Sequence, residues 1–200
     1  MLKNKEWVTT NMRTYTALLD ANVLYPAPTR DLVMQLAVAD MFRAKWTADI
    51  HREWIEAILR KEPHRERAKL ENTRDLMDSH VRDALITGYE EIIPSLNLPD
   101  PNDRHVLAAA IVGRCDVIVT ENLRDFPVTT LKRYRIEVQR PDQFLVNHLS
   151  LAPGKFCGAV RKVRARLVTP PKTVEEYLAT LAKAGLVITA AELEQYSELL

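Results

Sequence analysis

Residues 15–149 predict an α/β fold with a parallel sheet covered by helices on both faces. Three observations carry the prediction. Apolar and β-branched runs, each long enough for a buried strand and too short for a helix, recur along this stretch. Segments of helical periodicity stand between them, the alternation expected of parallel strands with helical crossovers. The chain of 200 residues, 46% hydrophobic and 28% charged, has the composition of an ordinary globular protein able to bury a core.

The elements follow in order. Tyr15-Thr-Ala-Leu-Leu19 reads as a strand ending at Asp20, and Thr29 opens a helical pattern with Leu32, Val33, Leu36 and Ala37 on one face. Ala44-Lys-Trp-Thr47 is a second strand. Asp49 then serves as N-cap of a helix carrying Ile50, Trp54, Ile55, Ile58 and Leu59 to near Pro63. Residues 64–88 read as helical with one break, with Leu70, Leu76, Met77, Val81 and Leu85 turned inward, and Glu90–Ile93 as a third, poorly formed strand. Pro99-Asp-Pro-Asn-Asp103 is a turn that starts a helix burying Val106, Leu107, Ala110 and Ile111 and ending near Gly113. Asp116-Val-Ile-Val-Thr120 is the clearest strand and Ile136–Val138 another, before a helix from Pro141-Asp142 with Phe144, Leu145 and Leu149 buried.

Residues 150–200 read differently, as a small helical appendage, basic first and acidic later. Ser150–Gly154 resembles a linker. Lys155, Arg161, Lys162, Arg164 and Arg166 follow without an acid among them. Two capping-box starts, Thr173-x-x-Glu176 and Thr189-x-x-Glu192, then open helices on either side of Gly185, a natural C-cap.

Charge is balanced, with 28 Lys and Arg against 27 Asp and Glu, so binding of a polyanion has to come from a local patch. Cys115 and Cys157 fit no zinc or CxxC spacing and read as buried apolar residues of a protein from a reducing compartment. Residues 1–13, with a second methionine at Met12, read as a loose polar leader without the apolar stretch of a secretory signal. No run of about 18 apolar residues suggests a membrane span. A cytoplasmic protein is expected, and Trp7, Trp46 and Trp54 read as packing residues rather than base-stacking platforms.

The chemistry lies in the acids at strand ends. Asp20 closes the first strand, Glu53 falls one turn into the helix after the second, Asp100 and Asp103 share a turn, and Asp125 follows Asn122 after the main strand. In a parallel sheet these meet at one edge, where ligands bind. Carboxylates packed together repel unless they are protonated or bridged by a cation, and oxygen-only donors favour Mg²⁺ or Mn²⁺. Such an ion suits hydrolysis of a phosphodiester. Taken singly, the acids have plainer roles: Asp100 and Asp103 as helix-start residues, Glu53 as a solvated partner of Arg52 or Arg60, Asp125 as a turn cap. Asp20, directly after an apolar strand, is harder to explain that way.

The order Leu18-Leu-Asp20-x-Asn22, Trp46-Thr…Glu53-Trp, Asp100-Pro-Asn-Asp103-Arg-His-Val-Leu-Ala-Ala-Ala, then Val117-Ile-Val-Thr-Glu-Asn-Leu-Arg-Asp-Phe-Pro127 resembles the PIN-domain nucleases, and within them the VapC-type toxins of bacterial toxin–antitoxin pairs. The resemblance covers roughly residues 13–149. It implies a three-layer α/β/α fold, endonucleolytic cleavage of RNA with Mg²⁺ or Mn²⁺, a cognate antitoxin and a homodimer. By position, Asp20, Glu53 and Asp103 match the first three acids of the family. The fourth is Asp125 or the position of Asn122. Asp125 is favoured as the acid, with Thr120 and Asn122 orienting it or a water, and Asn22 and Asp100 in supporting positions. The basic run at 155–166 and Arg104 are the candidates for RNA contact, whereas His105 reads as a satisfied helix-start residue.

Three other classes compete with a toxin. A housekeeping PIN nuclease of RNA processing would share the same acids. A lapsed binding module would be free to shed them. A phosphatase of the haloacid-dehalogenase type needs a second acid where Asn22 stands, and an amide cannot donate that proton.

Overall fold

The computed structural model describes residues 15–200. The leader expected over 1–13, with Trp7 and Met12, lies outside the described residues. Four parallel strands, β1 (Thr16–Leu19), β2 (Arg43–Lys45), β3 (Val117–Val119) and β4 (Glu137–Gln139), form one sheet in the order β2-β1-β3-β4. The two central strands are buried along their whole length, as continuous apolar runs require when both faces are covered. The edge strands expose Arg43 and Glu137, polar residues that discourage further strand pairing.

The crossovers make the outer layers of the α/β/α architecture. A four-residue helix α1 (Ala21–Leu24) and α2 (Ala27–Val38) join β1 to β2, with Pro28 at the start of α2 setting its first turn earlier than the expected Thr29. Helices α3 (Ala48–Lys61), α4 (Arg67–His80) and α5 (Arg104–Val112) lie between β2 and β3, α5 packing on β1 and β3. The short α6 (Val128–Leu131) precedes β4. Then come α7 (Pro141–Leu151), α8 (Pro153–Ala165), α9 (Val174–Lys183) and α10 (Val187–Glu194).

Several expectations need correction. Thr47, not Asp49, caps α3: its hydroxyl accepts from the Ile50 amide at 3.1 Å. Asp49 sits inside the first turn, accepts from the Tyr89 hydroxyl at 2.7 Å and pairs with Arg52 at 2.6 Å, contacts that hold its carboxyl below the usual range. Glu90–Ile93 is not a strand. It lies in a 3-10 helix, Glu90–Ser95, packed beside α5 and containing Pro94, which has no N–H for a sheet ladder. Leu76 and Leu85, expected inside, are half exposed, while Leu70 and Met77 alone line the buried stripe of α4.

Trp46 and Trp54 are fully buried, as their apolar surroundings suggest. Their indole N–H groups are satisfied through a chain of contacts: Trp46 donates to Asp78 at 2.7 Å and Trp54 donates to Nδ1 of His51 at 3.0 Å. Nε2 of His51 meets the same Asp78 oxygen at 3.1 Å. Burial lowers the His51 pKa, and only in part does Asp78 offset that.

The break expected at 150–154 is a single residue, Ala152, between α7 and α8. Phe156, Cys157, Val160 and Val163 of α8 are buried, and α8 packs along α2. The capping box at Thr173 is formed in full, its hydroxyl accepting from Glu176 N and the Glu176 carboxylate accepting from Thr173 N. The one expected at Thr189 is not. Gly185, at φ +95°, turns the chain so tightly that α10 begins at Val187, leaving Thr189 fully buried within it. The cap comes from another helix: the Asp142 carboxylate accepts from Ile188 N and Thr189 N, both at 2.8 Å, and from the Thr189 hydroxyl at 2.7 Å.

Candidate active site

The carboxyl ends of β1 and β3 lie side by side, and Asp20 and Thr120 are the first residues beyond them. Asp20 is the N-cap of α1, with one carboxylate oxygen accepting from the Ala21 amide at 2.7 Å. The other accepts from the Thr120 hydroxyl and from the Asn22 side-chain amide, both at 2.6 Å. Asn22 in turn accepts from the Glu121 amide at 3.0 Å, and the Thr120 oxygen accepts from the Asn122 amide at 3.0 Å. Asp20 is therefore buried and oriented by residues of both central strands. Burial pushes its pKa up against the pull of Thr120 and Ala21.

The other acids surround it. Glu53, on the second turn of α3, adds its charge to that of Asp20. Asp103 ends the 3-10 turn Pro101–Asp103, which Asp100 caps by accepting from Asn102 N at 2.8 Å. Asp125 closes a second 3-10 turn, Leu123–Asp125. Asp103 feels all of this: burial first, then the charges of Asp20, Asp100 and Asp125, raise its pKa from 3.8 to about 6. The five acids singled out from sequence thus share one electrostatic field.

The sign of that shift gives a prediction. Without a cation the folded protein holds a proton on Asp103 that the unfolded chain releases between pH 3.8 and about 6. This group's contribution to stability is therefore present at low pH and lost as pH rises through that window. A carbon-detected NMR titration of the Asp103 carboxyl is expected to show a midpoint near 6, moving down in Asp20→Asn protein. A wild-type midpoint in the ordinary range of about 4 would contradict the crowding.

His105 plays a larger part than a helix-start residue needs to. Its Nε2 stands 2.9 Å from Glu53 Oε1, joining α5 to α3 across the site, and its Nδ1 is buried without a hydrogen-bond partner. Burial opposes its protonation, but the hydrogen bond to Glu53 and the charges of Glu53, Asp49 and Asp20 outweigh it, so the net shift is upward. The sequence hint was the position two residues after Asp103. What sequence does not show is its partner, 52 positions away. Arg104 is partly buried in the same turn, with its Nε unpartnered.

The basic run lies elsewhere. Lys155 donates to the Asp40 carbonyl at 3.2 Å, in the segment leading into β2 and so at the amino ends of the strands. Arg164 donates to the Leu200 and Lys172 carbonyls, and Arg166 to the Gln35 side chain at 2.6 Å. Arg161 and Lys162 are exposed. These cations are not brought to the acids.

The donor set suits a hard divalent ion: carboxylate oxygens backed by hydroxyl and amide groups, with no thiol among them and the one imidazole, His105, paired to Glu53. Burial raises the Asp103 pKa most, and the charges of Asp20, Asp100 and Asp125 add to it, a part that a bound cation would offset. Among the described residues no three acid, histidine or cysteine side chains are grouped as they stand so as to hold an ion. Cys115 and Cys157 are buried thiols, Cys115 pushed up to about 12 by burial, and neither serves as a nucleophile or ligand.

The PIN-domain family profile matches residues 16–124, and the profile of the VapC50 C-terminal domain matches residues 141–195. A protein of Mycobacterium tuberculosis (strain ATCC 25618 / H37Rv), named "Putative ribonuclease VapC50", is 37% identical over 100 residues. That stretch is 50% of this chain and 59% of the relative. No solved structure matches the chain.

Proposed function

Because the chain belongs to the PIN-domain family, we propose that it is a divalent-metal-dependent endoribonuclease and the growth-inhibiting toxin of a toxin–antitoxin pair. The observation that carries this is the gathering of the acids beyond the carboxyl ends of β1 and β3, where burial first and then the charges of Asp20, Asp100 and Asp125 raise the Asp103 pKa to about 6. A protein gains nothing structural from so much like charge at one sheet edge, whereas a metal site for phosphodiester hydrolysis requires it. The ribonuclease name of the mycobacterial relative and the match to the VapC50 C-terminal domain support RNA as the substrate.

Asp20, Glu53, Asp103 and Asp125 would hold the ion, Mg²⁺ or Mn²⁺. When bound, it supplies an acidified water and offsets charge on the phosphoryl group. The residues around them do the positioning. Thr120 and Asn22 fix the Asp20 carboxylate, and His105 holds the Glu53 carboxylate from the opposite side. Asn122, exposed beside them with its amide tied to Thr120, is placed to orient a water or a phosphate oxygen. The partners are an RNA substrate, a cognate antitoxin and a second copy of the chain, in the cytoplasm. Among the described residues no helix is long and apolar enough to cross a membrane.

Metal binding is directly measurable. Saturating Mn²⁺ at about 100 times its dissociation constant adds about 2.7 kcal/mol of stability, roughly 5–11 °C in melting temperature for a chain of this size. The expected result is that rise over a chelator-treated sample, together with cleavage of single-stranded RNA that the chelator abolishes. Equal melting temperatures and chelator-resistant cleavage would overturn the metal assignment.

A further inference from the structure

A cleft of about 460 Å³ opens directly beside the acids, between α1 and the exposed side of α3. Its lining includes Asn22, Glu53 and Asn122 of the site together with Tyr25 and Arg60. Its volume lies in the range of sites that hold a small organic group, roughly 300–1,000 Å³.

The charges in the cleft have distinct fates. Arg52 pairs with Asp49 at 2.6 Å, Glu53 with His105 at 2.9 Å and Glu56 with Arg67 at 2.7 Å. Arg60, exposed, has no carboxylate within 4 Å among the described residues, so its guanidinium is the uncommitted cation of the cleft. The half-buried Tyr25 ring lines the same cleft, with the Lys61 ammonium over it at 5.8 Å from the ring centroid. An aromatic ring and a free guanidinium lining one cleft are the elements from which single-strand sites are built: stacking for a base, a fork of donors for a phosphate.

We propose that this cleft binds the nucleotide next to the scissile phosphate of a single-stranded RNA, with the base on Tyr25 and the phosphate on Arg60. The proposal rests on the nuclease function above and moves the RNA contact from α8 to α3. A carboxylate centre repels a polyanion, so the cations that hold the strand must flank the acids. Arg60 does, whereas Lys155 lies at the opposite end of the strands and Arg164 and Arg166 are engaged by carbonyls and by Gln35.

The test uses the full chain carrying Asp20→Asn, which suppresses cleavage, and a fluorescent single-stranded RNA oligonucleotide whose anisotropy is followed across a salt series. Adding Arg60→Ala is expected to weaken binding and to flatten the slope of log K against log salt by about 0.7, the value for one phosphate contact. Adding Tyr25→Ala is expected to weaken binding roughly 5- to 150-fold, the range for one base–aromatic stack, with Tyr25→Phe restoring it. Arg161→Ala with Lys162→Ala is expected to bind as the parent does. In the cleaving protein, Arg60→Ala raises KM more than it lowers kcat. If Arg60→Ala and Tyr25→Ala bind with parental affinity and slope, or if the α8 variant is the weakened one, the cleft assignment falls and the nuclease function stands. If the wild-type chain neither binds nor cleaves RNA, both fall.

Discussion

Asp20→Asn protein is expected to fold normally and to cleave RNA at least about 10³-fold more slowly than wild type, a loss of about 4 kcal/mol of transition-state stabilisation. The substitution keeps the shape of the side chain and removes the charge through which it would hold a cation. Its effect on stability is the sum of two opposing changes. Asp20 accepts from Ala21 N, Asn22 and Thr120, and an amide has one acceptor oxygen where the carboxylate has two, so a contact worth about 1 kcal/mol is lost. Against this, a buried charge beside Glu53 and Asp103 disappears. The melting temperature is therefore expected to stay within about 4 °C of wild type. Paired measurements of melting and turnover decide the matter: a destabilised but active variant would make Asp20 a helix cap and not a catalytic ligand.

Asp142→Ala is expected to cost about 3 kcal/mol, which for a chain of this length lowers the melting temperature by roughly 6–12 °C. The carboxylate accepts three hydrogen bonds from Ile188 and Thr189, and Thr189 is fully buried. Removing it strands two donors of the first turn of α10 and leaves the buried Thr189 hydroxyl only the longer bond to the residue 142 carbonyl, 3.2 Å. Asp142→Asn, which keeps one acceptor, should fall between. Thermal melts of the two variants at neutral pH measure the difference. A loss below about 0.5 kcal/mol in Asp142→Ala would mean that water replaces the cap.

What was legible in the sequence follows from how far apart the interacting residues are. The four strands and the helices at 48–61, 104–112 and 141–151 announce themselves through runs and periodicities of neighbouring residues. So does the Thr173 cap, whose two partners are three residues apart. The cap on α10 fails the same test because its donor and acceptor are 46 and 47 positions apart. Glu90–Ser95 misleads for a related reason: two isoleucines imitate a strand, and only the neighbouring α5 and the fixed backbone of Pro94 make it a 3-10 turn. In the candidate site the acids could be listed because their residue types and order are distinctive. The groups that orient them, Thr120 on Asp20 and His105 on Glu53, became pairs only through sheet register and helix packing.

The packing of α8 along α2 has a consequence during synthesis. Leu36 leaves the ribosome about 120 residues before Phe156, and at roughly 5–20 residues per second that is a gap of about 6–24 s. For that interval α1 and β2 can already pack on α2, but the part of it that α8 covers stays open. Apolar surface left open in this way makes a nascent chain prone to stick to its neighbours. Substitutions at Phe156 or Val160 would consequently show first as a lower yield of soluble protein in the cell, before any change in the turnover of the molecules that do fold.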